Sequence, residues 1–237
     1  MMVHTVYHAS AALKSRGRTC VPAGSFPDGE DLCYNPFASI KRAGIPAAGG
    51  IYMAKVSAFL APGLEEVECL AVVDVLRRAG VTVDMVSITG EQVVTGSHGI
   101  GIVADRSFGD ADFENSDCLF LPGGMPGTEN LYEFTPLCDL QRRFAAEGKR
   151  IAAICAAPSV PGRLGLLEGR RATCYPGREP QLLGAQATGE GVVTDGPFTT
   201  ARGLGFAIDL GLELSRLLAG EEKARTVKAA IQHPDCV

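Results

Sequence analysis

The chain has 237 residues, 46 % of them hydrophobic, and a formal net charge of −5 at pH 7. A chain of that length and apolar share can bury one α/β core of roughly 180 residues plus an appendage. Both charge signs are spread along it, with no basic tract and no apolar run of membrane-spanning length, so neither nucleic acid nor a membrane is expected as a partner.

Residues 1–52 mix Ser, Gly, Pro and isolated charges without sustained periodicity, and Gly49-Gly50 closes the segment. They read as a poorly ordered extension or an upstream addition to a working start at Met53. Up to Pro27 this stretch lacks Asp and Glu but carries Lys14, Arg16 and Arg18, so a weak likeness to an organellar transit peptide stays open. Residues 53–237 read as a single domain. Lys55–Ala61 is an apolar strand, and Leu64–Ala79 is a helix stopped by Gly80. Val81–Ile88 is a strand, and Gln92–Thr95 with Ile100–Ala104 make a short hairpin. Asp117–Leu121 is a strand, Pro136–Glu147 a helix and Arg150–Ile154 a strand, with Cys155 next and a helix over Ala157–Leu164. Arg171–Cys174, Gly191–Thr194 and Phe198–Thr200 complete the strands, and helices over Leu204–Leu218 and Glu221–Ile231 close the chain. This alternation predicts a mainly parallel sheet covered on both faces, with ligands bound beyond the carboxyl ends of its strands.

The eight cysteines form no C-x-x-C pair and there are only four histidines, so no metal site and no disulfide framework is expected. Free thiols in a reducing, cytoplasmic compartment fit this usage, with an organelle as the alternative if residues 1–52 direct it there. Three segments fall at strand carboxyl ends. In the first, the strand Arg150–Ile154 runs into Cys155 among small residues up to Pro158, the layout of a nucleophile elbow. A helix N-terminus just beyond is expected to lower the thiol pKa; the alternative is a buried structural cysteine. In the second, Glu65, Glu66 and Glu68 open a helix. At 100° per residue Glu66 shares a solvated side with Arg77. Glu68 falls within an arc of Leu64, Ala71, Val72 and Val75. A carboxyl there should have a raised pKa and suit acid/base work, or else snorkel from the helix end. In the third, Gly123-Gly124 permits close backbone approach to a ligand, as an oxyanion hole requires.

Together, Ala61-Pro-Gly-Leu-Glu-Glu-Val-Glu68, Leu121-Pro-Gly-Gly124 and Ala152-Ala-Ile-Cys155-Ala-Ala-Pro158 resemble the active-site segments of the ThiJ/PfpI superfamily. The nearest branch is that of the human parkinsonism-associated protein deglycase and its bacterial relatives. The resemblance covers about Lys55 to Ile231. It implies a flavodoxin-like three-layer sandwich, usually a homodimer, needing no cofactor. Cys155 would be the nucleophile and Glu68 the protonated carboxyl holding its thiolate. The backbone of Gly123, Gly124 and Ala156 would line an oxyanion pocket bordered by Tyr175 and Pro176. The implied activities are conversion of methylglyoxal to lactate (glyoxalase III type), removal of early glycation adducts, and an oxidative-stress role in which the cysteine becomes a sulfinate.

Two departures stand out. Ala156 replaces the histidine that follows the cysteine in the peptidase branch, which argues against a Cys-His protease. Tyr175-Pro176 stands where a His-Pro borders the pocket in the deglycase branch, and a phenol is a poor proton shuttle near neutral pH. The segment Arg202-Gly-Leu-Gly-Phe206 also lacks a hydroxyl that relatives have. Cys69 reads as structural, and His98 as a surface or interface residue. Cys174 is a speculative resolving thiol. A carbonyl enzyme, a redox-sensing or chaperone-like dimer, and a thiol esterase using His233 are the three functional readings.

Overall fold

A computed structural model describes residues 53–236, so the expected extension over 1–52 lies outside the described residues. Strand β1 (Lys55–Leu60) leads into helix α1 (Glu66–Arg78) and strand β2 (Thr82–Ser87). A hairpin of β3 (Val93–Thr95) and β4 (Gly101–Val103) follows, then β5 (Arg106–Ser107) and β6 (Cys118–Leu121). Helices α2 (Gly127–Glu133) and α3 (Thr135–Ala146) precede β7 (Arg150–Ile154) and α4 (Ser159–Arg163). The chain then forms β8 (Arg171–Ala172), β9 (Gln186–Ala187), β10 (Val192–Asp195) and β11 (Phe198–Ala201), and ends with α5 (Ala207–Ala219) and α6 (Glu221–Ala230).

The main sheet has seven strands in the order β10-β11-β7-β6-β1-β2-β5. Only β10 pairs antiparallel, so the other strands send their carboxyl ends to one edge. Along β1, Val56, Ala58 and Leu60 enter one apolar cluster with α1 and α5, while Phe59 enters another with α3 and α4. The same two-residue alternation sends Cys118 and Phe120 of β6 to the first cluster and Leu119 and Leu121 to the second. Burial on both faces is why these strands read as unbroken apolar runs. The result is the expected three-layer α/β sandwich of flavodoxin type.

Several boundaries differ from expectation. Helix α1 starts at Glu66 because Glu65 is its cap. The helix after Cys155 is confined to Ser159–Arg163, and the long closing helix breaks into a 3-10 turn, Leu204–Phe206, followed by α5. The strand expected over Arg171–Cys174 pairs only at Arg171 and Ala172, in a separate ribbon with β9. Helix α2 was not anticipated: Gly127–Glu133 carries no apolar period, and the Gly-Gly-Met-Pro run before it reads as loop.

Candidate functional site

Strand order places the site. Strand β6 lies between β1 and β7, so the glycine turn leaving it passes between the helix that follows β1 and the cysteine that follows β7. The Gly123 amide donates to Glu68 Oε2 at 3.1 Å, and its carbonyl accepts from the Glu65 amide at 2.8 Å. A methyl group at Gly123 would lie 2.5 Å from Glu68 Oε2 and 2.6 Å from Cys155 Cβ. No side chain fits there, which is the physical reason for glycine at this position.

Cys155 holds φ 64, the left-handed region that only glycine enters freely. Its amide donates to the Ala201 carbonyl at 2.9 Å, and its carbonyl accepts from the Tyr175 amide at 2.7 Å. These two bonds stitch the strained residue to β11 and to the 175–178 turn. The side chain is partly exposed and faces the buried Glu68 carboxyl.

Burial raises the Glu68 pKa to about 7; its hydrogen bond with Cys155 works against the rise and repulsion from Glu65 adds to it. The Gly123 and Leu204 amides also donate to this carboxyl. Burial likewise pushes the Cys155 thiol up to about 12, helped by the charge and hydrogen bond of Glu68 and opposed by the Ala156 and Gly124 amides. Burial is the largest cause of both shifts, and the Glu68 charge adds to the rise of the thiol, so the enclosure disfavours two negative charges side by side. The expectation that a helix N-terminus depresses the thiol is not met. Helix α4 begins only at Ser159, and the pull toward thiolate comes from the two amides.

Of the residues singled out in the sequence, Cys155, Glu68, Gly123, Gly124 and Ala156 meet around the sulfur. Tyr175 touches the site through its backbone, with its ring exposed, and Pro176 is exposed beside it. Cys174 is buried and its thiol is pushed up to about 11 by burial. Cys69 is sealed in the core and held near 12 by burial, as its structural reading requires. His233 bonds Asp209 of α5 at 3.0 Å rather than Cys155, which removes the support for a thiol esterase.

Glu66 corrects the sequence reading. It is buried, not solvated, because the β3–β4 hairpin folds back over it. Its carboxylate accepts from the His98 amide at 2.8 Å, His98 Nδ1 at 2.9 Å and the Ile100 amide at 3.4 Å. Burial works to raise its pKa, yet these bonds prevail and hold it at about 2, while bonding to Glu66 raises the pKa of His98. Sequence reasoning also passed over Glu65, whose Oε2 accepts from the Glu68 amide at 2.6 Å; an acid just before a helix was the available signal. The Leu204 amide was beyond reach, since a backbone donor leaves no mark in the side-chain pattern.

The profile of the DJ-1/PfpI family matches residues 54–217. Protein dj-1beta of Drosophila melanogaster is 38 % identical over 170 residues, covering 71 % of this chain and 91 % of that one. Its crystal structure superimposes with a TM-score of 0.73 at 35 % identity, over 76 % of this chain and 98 % of that chain. The Parkinson disease protein 7 homolog of Danio rerio is 33 % identical over 176 residues, 73 % of this chain and 93 % of that protein. The structure of oxidized Toxoplasma gondii DJ-1 matches with a TM-score of 0.72 at 33 % identity, over 76 % of this chain and 98 % of that chain.

Proposed function

The chain belongs to the DJ-1/PfpI family, and from that premise we propose that it is a cofactor-independent enzyme converting reactive carbonyls such as methylglyoxal to 2-hydroxy acids through Cys155. The observation that carries this reading is the buried Glu68 carboxyl hydrogen-bonded to Cys155 under the Gly124 and Ala156 amides. As sulfur adds to the aldehyde carbon, the thiol proton passes to Glu68 and the carbonyl π pair moves to oxygen, which the two amides receive. Glu68 returns the proton, giving a neutral hemithioacetal. The ionised Glu68 then takes the proton from the former aldehyde carbon, whose electron pair forms a C=C bond as the neighbouring carbonyl pair moves to its oxygen. That oxygen receives the hemithioacetal hydroxyl proton, the C=O of the thioester forms, and Glu68 delivers its proton to the neighbouring carbon, leaving a 2-hydroxyacyl thioester. Water hydrolyses the thioester to lactate and frees the thiol, so methylglyoxal and one water give one lactic acid. A carboxyl with a pKa of about 7 is matched to taking and giving protons near neutrality.

The same reading assigns a homodimer. Val67 and Leu70 on α1, Ile100 in the hairpin and Ile208 on α5 are large apolar side chains exposed to solvent, and a second copy of the chain would cover them. A second functional reading is oxidation sensing. It draws on the partial exposure of Cys155, whereas Cys69, Cys118, Cys138 and Cys174 are buried. A sulfinate at Cys155 would meet the protonated Glu68 as a hydrogen-bond donor.

The test is lactate formation from methylglyoxal by the purified chain beside Cys155→Ser. Lactate from the wild type alone supports the enzyme. Equal lactate from both proteins sinks it, and none from a folded wild type leaves the sensor, to be read by intact mass after mild peroxide.

A further inference from the structure

The cap of helix α1 is a glutamate, where a shorter side chain is the usual choice. Serine, threonine, aspartate or asparagine would serve the same backbone donor with less rotamer freedom to lose. Glu65 nevertheless does so: its Oε2 accepts from the Glu68 amide at 2.6 Å. Its own amide donates to the Gly123 carbonyl at 2.8 Å, and the Gly123 amide donates to Glu68 Oε2 at 3.1 Å. These three bonds close a ring through Glu65, Gly123 and Glu68. The glycine turn is pressed onto the same residue, since a methyl group at Gly124 would lie 2.2 Å from the Glu65 nitrogen. The Gly124 backbone in turn hydrogen-bonds Cys155.

What a glutamate adds to a cap is a second oxygen and a charge. The second oxygen, Oε1, lies 3.8 Å from Nδ1 of His98 in the β3–β4 turn, and that nitrogen also meets Glu66 Oε2 at 2.9 Å. The charge is sheltered, because the Glu65 side chain is only 12 % exposed and water screens it little. The titratable groups acting on the Glu68 carboxyl are Cys155 and Glu65, and the Gly123 and Leu204 amides donate to it. Those acting on His98 are Glu66 and Glu65, with the neutral Ser97 hydroxyl 3.2 Å from Nδ1. The thiol itself answers to Glu68 and to the Ala156 and Gly124 amides. Glu65 therefore stands between a carboxyl that it repels and an imidazole whose protonation it favours, and it reaches the sulfur only through others.

We propose that Glu65 is a positioning residue, which holds the Glu68 carboxyl against the thiol and by its charge keeps a proton there, and that His98 opposes that charge. The assignment rests on the reading of Cys155 and Glu68 as the reacting pair, and it concerns how that pair is regulated. The two residues act with opposite sign. Removing the Glu65 charge favours ionised Glu68, whereas removing the imidazolium beside Glu65 favours the protonated form. A merely loosened structure would admit water and favour the ionised form in both variants, so the signs separate charge from packing.

The experiment is the pH profile of Cys155 alkylation by iodoacetamide, read by peptide mass between about pH 5 and 9, in the full chain and its variants. The rate rises with pH until Glu68 ionises, and the slope slackens there because the new charge disfavours the thiolate. The wild type is expected to break near the Glu68 pKa of about 7, and Glu68→Gln to show no break. Glu65→Gln, which keeps a cap oxygen, is expected to move the break to lower pH by several-fold in proton concentration, and His98→Gln to move it to higher pH. Glu65→Ser, a cap without charge, stands in if the glutamine variant does not fold. A break unmoved in the Glu65 variants, or displaced the same way by Glu65→Gln and His98→Gln, overturns the proposal. A wild-type profile without a break, or one that Glu68→Gln leaves in place, overturns the pairing and the proposal together. Lactate formation is followed alongside: breaks that move as expected without lactate overturn the carbonyl reading and leave Glu65 and His98 in their role.

Discussion

Glu68 lies hydrogen-bonded to Cys155, so under the proposed function it hinders the thiolate as well as carrying protons. Its charge and hydrogen bond both raise the thiol pKa, behind burial as the largest cause. Glu68→Gln removes the charge while keeping a hydrogen-bonding amide. The variant is expected to alkylate faster with iodoacetamide at pH 8 than the wild type, because its thiol pKa is lower. Under the proposed function, its turnover of methylglyoxal is expected to fall about 10²–10⁴-fold, because no proton carrier remains. A variant that loses alkylation rate together with turnover would contradict this separation of nucleophile from acid/base. Both residues were legible in the sequence: the small neighbours of Cys155 announced a tight turn, and the angular position of Glu68 announced burial. The amides of Gly124, Ala156 and Leu204 that surround them were legible only through the family resemblance or not at all, since every residue but proline carries the same donor.

At the scale of elements, the hairpin β3–β4 is tied to the start of α1. Ser97 donates to the Leu64 carbonyl at 2.8 Å and Gly63 to the Thr95 carbonyl at 2.9 Å; Glu66 gathers the turn through His98 and Ile100. Helical periodicity misread Glu66 because it counts only the neighbours a helix supplies to itself, and this neighbour arrives from thirty-odd residues downstream. The folded state lowers the pKa of Glu66 and raises that of His98. The carboxylate contribution is therefore present above pH 4.5 and lost as pH falls toward 2, while the histidine contribution is full below 6.5 and lost as pH rises through its raised value. Glu66→Ala strands the His98 and Ile100 amides without their acceptor. It is expected to destabilise the protein by about 2 kcal/mol near pH 6, with hydrogen-exchange protection lost first at residues 96–100. Unchanged protection there would show that the turn holds without Glu66.

For the molecule as a whole, the alternation of strands and helices was readable because parallel strands buried on both faces leave unbroken apolar runs. The short pieces were not: β5, β8 and β9 have two residues each, too few for any period to register. The assigned dimer concerns a surface, where the sequence distinguishes an interface from solvent only weakly. Val67 is 51 % exposed on α1, and an aspartate there would place a charge in the middle of an apolar contact. Sedimentation velocity should find the wild type as a dimer and Val67→Asp as a monomer; a monomeric wild type would refute the assignment. The direction of β1 has a further consequence. Its first residue, Lys55, lies at the edge opposite Cys155, and six residues of strand separate the two edges by roughly 20 Å. The amino end of β1 and the reacting sulfur thus sit at opposite ends of the strands, with the full height of the sheet between them.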